Sequence, residues 1–188
     1  MGNGDFGDAK DDIKKALDDA NKSPPNIDGA IKDLSKAADD LKCDEPQTPA
    51  FSPEKEDLCN LIADTIIKLA APLHTQSIFV ASPPNAFIAL PDAESKLQDD
   101  LAAIKAGILI SGLKTTLTEG EVEDAIKEVE DAWDEFNIGN NANAIEKLTK
   151  ASDDLSCDQG PGLEKTRQDV CNLIIDSIVA VADDMKLP

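Results

Sequence analysis

Ala30-Ile31-Lys32-Asp33-Leu34-Ser35-Lys36-Ala37-Ala38-Asp39-Asp40-Leu41-Lys42-Cys43-Asp44 and the stretch from Ala144 to Asp158, read at an offset of 114, are identical at ten of fifteen positions. In both, apolar residues recur at helical spacing: Ile31, Leu34, Ala38 and Leu41 in the first, Ile145, Leu148 and Leu155 in the second. Each therefore reads as an amphipathic helix that ends at a cysteine. A second block, Cys59-Asn60-Leu61-Ile62-Ala63-Asp64-Thr65-Ile66, matches Cys171-Asn172-Leu173-Ile174-Ile175-Asp176-Ser177-Ile178 at an offset of 112, the difference falling in the loop between the cysteines. Upstream, Leu17-Asp18-Asp19-Ala20 echoes Val129-Glu130-Asp131-Ala132. Three elements in the same order imply a tandem duplication of one helical unit.

The four cysteines take equivalent places in the two copies, one closing a helix and one in the first turns of the next. That placement predicts disulfides Cys43–Cys59 and Cys157–Cys171, one of three pairings four cysteines allow. Each would close a loop of about 15 residues, worth roughly 3 kcal/mol by loop entropy. Such staples persist in oxidising compartments, which points to a secreted protein. A zinc site competes poorly, because the spacing is not C-x-x-C and the single histidine, His74, lies outside both copies. Four buried free thiols in a cytosolic protein are the other alternative.

Working outward, residues 9–21 carry Ile13, Leu17 and Ala20 on one stripe, which the Ser23-Pro24-Pro25-Asn26 cluster ends in a hairpin turn. Residues 27–42 form the next helix, and its counterpart is placed at 143–156, with Asn143 and Glu146 spaced as a capping box. Ser52-Pro53-Glu54 reads as an N-cap, a proline at the first helical position and an acid in the first turn. From there Leu58, Ile62, Ile66 and Leu69 line one face, as Val170, Ile174, Ile178 and Val181 do in the second copy. Residues 92–116 repeat Leu97, Leu101, Ile104, Ile108 and Leu113 at helical spacing, and their second half is apolar nearly all round, so this helix is expected to be buried on several sides. Thr118 and Glu121 form another capping box, opening a helix through Val122, Ile126, Val129, Trp133 and Phe136 that ends near Gly139.

The fold class is thus all-α, with about seven helices in one merged bundle or two abutting antiparallel bundles. The organisation is a first helical unit at 1–71, an uncharged, proline-containing connector at 72–91, and a second unit with an additional N-terminal helix at 92–188. Residues 69–91 contain no charged side chain in a chain that is 30% charged. Their four prolines forbid a long helix, and their large apolar groups need burial or a binding partner. A plain crossover, a lid over an apolar pocket and an association surface are the readings of that stretch.

The excess of 38 acidic over 18 basic residues gives a net charge of -20, which argues against nucleic acid and anionic lipid surfaces as partners. No apolar run is long enough for an integral membrane segment. Any histidine-based chemistry must use His74, and no nucleophile motif accompanies it. The Asp-Asp pairs point their side chains about 100° apart on a helix and read as solvated faces rather than chelators. Residues 135–146 resemble the spacing of an EF-hand loop, but they lack its leading aspartates and have Asn140 where the turn glycine belongs. No cofactor or metal is implied, and a catalytic role is not expected.

The function these features suggest is a non-catalytic secreted binding protein that holds an apolar small molecule, a lipid or pigment, between its two units. Its expected wall is Phe79, Phe87, Ile88, Ile104, Ile108, Leu109, Trp133 and Phe136. The alternatives are an extracellular structural or interaction protein that oligomerises through the same residues, and an acidic inhibitor or effector that docks on a basic protein surface.

Overall fold

A computed structural model describes residues 3–44, 53–73, 117–158 and 165–186. Among them are six α-helices and no strand: α1 (Asn3–Ala20), α2 (Ile27–Asp40), α3 (Pro53–Ala70), α4 (Glu119–Asn137), α5 (Asn141–Asp154) and α6 (Lys165–Asp184). A 3₁₀ turn, Ala71–Leu73, extends α3. The expected helix over 92–116 and nearly all of the connector lie outside the described residues.

The packing follows from which helices are apolar on more than one side. α2 touches α1, α3 and α5, while α5 touches α4, α6 and α2, and α3 packs on α6. The two three-helix sets therefore meet through α2 against α5 and α3 against α6. Small residues make the close approach feasible: Ala30, Ala37 and Ala38 on α2 and Ala144 and Ala151 on α5 are fully buried. Ile31, Leu41, Ile66, Ile145, Leu148, Leu155, Ile174 and Ile178 fill the space between helices in one continuous core. Leu and Ile thus supply the bulk that so few aromatics cannot.

Polar links also cross between the sets. Ser152 Oγ donates to Asp28 Oδ1 at 3.1 Å, and the Ala142 amide donates to Asp44 Oδ2 at 3.0 Å, so a carboxylate following α2 caps the start of α5. Lys186, just past α6, bridges Asp64 of α3 at 2.8 Å and Asp183 at 3.0 Å. This ammonium holds the Asp64 carboxyl below its ordinary range.

Both disulfides form as expected, Cys43–Cys59 with 5.6 Å between Cα atoms and Cys157–Cys171 with 5.4 Å. Each joins the turn after the second helix of its set to the third helix. That turn places a residue with side chain in left-handed backbone, Lys42 at φ 54° and Ser156 at φ 49°. After α2 the Cys43 amide reaches the Ala38 carbonyl at 2.9 Å and the Lys42 amide reaches Asp39 at 2.8 Å, the two bonds of a Schellman motif. The same motif ends α4, where Gly139 at φ 81° takes the left-handed position.

Helix starts divide between those the pattern places correctly and those it does not. Thr118 and Glu121 form the reciprocal capping box, and α3 begins at Pro53. α5, by contrast, starts two residues before the expected Asn143, with Asn140 as its N-cap, so Asn143 and Glu146 lie inside the helix and form no capping box. The three residues between α4 and α5 also leave no room for a calcium loop across 135–146.

Asn26 and Asn140 are the N-caps of α2 and α5. Asn26 sends its backbone amide to the Asp19 carbonyl at 3.0 Å and its side-chain amide to Asp19 Oδ2 at 3.0 Å. Asn140 makes the same two bonds to Glu135, at 2.9 Å to the carbonyl and 2.8 Å to Oε2. Asp19 and Glu135, bonded alike, are thus 116 residues apart. The echo of Leu17-Asp18-Asp19-Ala20 in Val129-Glu130-Asp131-Ala132 has an offset of 112, which differs from this by about one helical turn. The loop lengths cause this: α1 is followed by a longer, proline-containing connection than α4. Asn26 additionally accepts from the Gly29 amide at 3.1 Å. A Cβ on Gly29 would collide with the Asn26 amide and the Asp19 carboxylate, and the corresponding Asn143 carries a Cβ. Asn140 accordingly has no such cap bond.

Candidate functional site

A groove of about 250 Å³ runs between α1 and α3, with Leu34 of α2 as part of its lining. Helical spacing puts Ile13, Ala16, Leu17 and Ala20 on one wall, and Leu58, Leu61, Ile62, Thr65 and Leu69 on the other. The only hydroxyl among these is occupied, Thr65 Oγ1 donating to the Leu61 carbonyl at 2.7 Å. The lining therefore offers an incoming group apolar contact and almost no hydrogen bonding. Leu17 and Leu61 are 61% and 60% exposed, although each stands on a stripe whose other members are buried or half-buried. Nothing in the periodicity distinguished this surface from core, because the stripe is the same either way.

Of the eight expected wall residues, Phe79, Phe87, Ile88, Ile104, Ile108 and Leu109 lie outside the described residues. The other two, Trp133 and Phe136, stack with ring centroids 6.4 Å apart and pack against the core from α4. They stand on the outer helix of the second set, whereas the described contact between the sets is made by α2, α5, α3 and α6.

A second, polar cleft of about 230 Å³ opens at the α2–α5 contact, lined by Asn26, Asp28, Gly29, Lys32, Thr149, Lys150 and Asp153. Asp28 is 5% exposed. Loss of hydration raises its carboxyl to about 7, against the Ser152 hydrogen bond, and Asp158 and Asp153 push in the same upward direction. An aspartate in the first turn of a helix, as Asp28 is, is ordinarily solvated. Only the arrival of α5 buries it. Burial likewise raises Asp33, Asp39 and Asp154.

Among the described residues no cluster of histidine, cysteine and carboxylate side chains could hold a metal ion, and no helix is long and apolar enough to cross a membrane. Comparison with protein-family models, curated proteins and solved structures gave no match.

Proposed function

We propose that this protein is a secreted, non-catalytic carrier that holds an uncharged apolar small molecule in the groove between α1 and α3. The observation that carries this reading is a concave, almost wholly apolar surface left open beside two largely exposed leucines in a chain of net charge -20. Its volume lies near the lower end of the range for small-molecule sites. Covering the exposed parts of Leu17 and Leu61 would contribute about 2 kcal/mol, before any contact with the rest of the lining. The surrounding negative charge disfavours an anionic head group. Two disulfides support an oxidising compartment.

The two three-helix sets are best read as copies of one ancestral unit. Support comes from the repeated sequence blocks, the equivalent disulfides and the matched bonds of Asn26 and Asn140.

Native mass spectrometry of protein from its natural source, before and after unfolding, tests the carrier reading. A discrete neutral mass lost on unfolding is the expected result. A bare chain that also fails to take up N-phenylnaphthylamine, an uncharged apolar fluorophore, contradicts it. A concentration-dependent dimer that the fluorophore does not dissociate would assign the groove to self-association instead.

A further inference from the structure

We infer that the second three-helix set contains the same groove, filled by its own Trp133 and Phe136, and that residues 17 and 20 set whether the first set is open to ligand. The inference rests on the carrier reading for the occupant of the open groove, but the filling itself stands on separate observations.

The register between α1 and α4 is indicated by two matched sets of interactions and by burial. Asp19 and Glu135 receive the same pair of bonds from Asn26 and Asn140. Lys147 of α5 meets Glu128 and Asp131 of α4, each at 3.2 Å. At the position matching Lys147, Asp33 lies within electrostatic reach of Asp12, Asp19 and Lys15, of which Asp12 and Lys15 match Glu128 and Asp131 at the same offset of 116. Burial agrees: Ala9 and Ala16 are buried, as are Ala125 and Ala132. In this register Leu17 corresponds to Trp133 and Ala20 to Phe136. Two small or medium side chains of the first groove are thus replaced by the largest ones in the second set.

The facing helix responds as a filled seam requires. With the cysteines aligning α3 and α6, Leu58, Thr65 and Leu69 are half-buried, whereas their counterparts Val170, Ser177 and Val181 are 1%, 1% and 0% exposed. Leu61 is largely exposed and its counterpart Leu173 is half-buried. Thr65 and Ser177 make the same bond to the carbonyl four residues back, so the helix faces are presented alike. We infer that the difference lies in what the first helix of each set lays across them. Leu148 matches Leu34 as the floor. An indole and a phenyl ring stacked together supply far more apolar area than Leu and Ala at the same two positions.

The stoichiometry of N-phenylnaphthylamine binding, read by fluorescence titration on the full disulfide-bonded chain, tests this. Wild type should take one equivalent. The double variant Trp133→Leu with Phe136→Ala should take two, the second site having been emptied. The double variant Leu17→Trp with Ala20→Phe should take none and melt at a higher temperature, its groove now filled like the other. A folded Trp133→Leu, Phe136→Ala chain that still takes one equivalent would overturn the inference while leaving the carrier reading intact. If that variant does not fold, the filling variant decides: retained binding with an unchanged melting temperature would overturn the inference. Wild type taking none while the emptied variant takes one would sink the carrier reading and keep the filling.

Discussion

Replacing Asp28 by asparagine should make the protein more stable at neutral and higher pH, an unusual outcome for a buried hydrogen-bonded side chain. Asp28 holds its proton up to about 7, compared with 3.8 for an ordinary aspartate. The folded chain therefore binds the proton more tightly than the unfolded chain does. Stability contributed by the neutral acid is fully present below the unfolded value and is lost as pH rises towards the folded one. Across that window of roughly three pH units the loss amounts to about 4 kcal/mol. The ionised carboxylate that remains above it faces Asp153 and Asp158, with Lys32 and Lys150 the nearby cations of the cleft. Asparagine keeps the oxygen that accepts from Ser152 and carries no charge. Its amide nitrogen, left to find a partner in the cleft, costs about 1 kcal/mol, so a net gain of about 2–3 kcal/mol is expected near pH 8. Urea unfolding of both chains at intervals from about pH 4 to about pH 8 measures it, and their difference cancels the other carboxyls. The variant should start slightly less stable and overtake wild type as pH rises. A difference that does not change with pH would refute the reasoning.

Other consequences are accessible by the same unfolding assay. Lys42→Gly and Ser156→Gly should each stabilise by about 1 kcal/mol, because glycine takes left-handed backbone without the Cβ penalty, and the two should add. Thr118→Ala removes the cap of α4 and should cost about 1 kcal/mol. Cys43→Ala with Cys59→Ala should cost roughly 3 kcal/mol, and thiol titration of wild type under denaturant should find no free thiol. Leu17→Asp should leave stability within about 0.5 kcal/mol, since the side chain is mostly in water, yet abolish uptake of the apolar fluorophore.

The parts of the fold that were legible in the sequence are those decided by neighbouring residues. Thr118 with Glu121, Pro53 and Gly139 carry their helix ends in their own chemistry, and the paired cysteine blocks carry the staples. Lys42 and Ser156 escaped notice because a left-handed cap without glycine has no composition signal, and the disulfide just after each turn holds it in place. Asn140 was passed over for Asn143 because both are cap formers, and only the bond to Glu135 distinguishes them. The upstream echo misled for a related reason. Acidic and alanine residues recur so often on α1 and α4 that a shift of one turn matches nearly as well, whereas the like bonds of Asn26 and Asn140 fall on residues 116 apart. Leu17 looks like core because it stands on the helical stripe of α1, yet it is 61% exposed, which no local pattern contains. Asp28 is the mirror case, polar by type and buried only because α5 lies across it.

The central claim, that the α1–α3 groove binds an uncharged apolar molecule, is tested most directly by methyl NMR of the disulfide-bonded chain during titration with N-phenylnaphthylamine. The account predicts saturable shifts in the methyls of Ile13, Leu17, Leu34, Leu58, Leu61 and Leu69, with Ile31 and Ile145 in the core unmoved. Shifts spread over the whole chain, or none at these leucines, would contradict it.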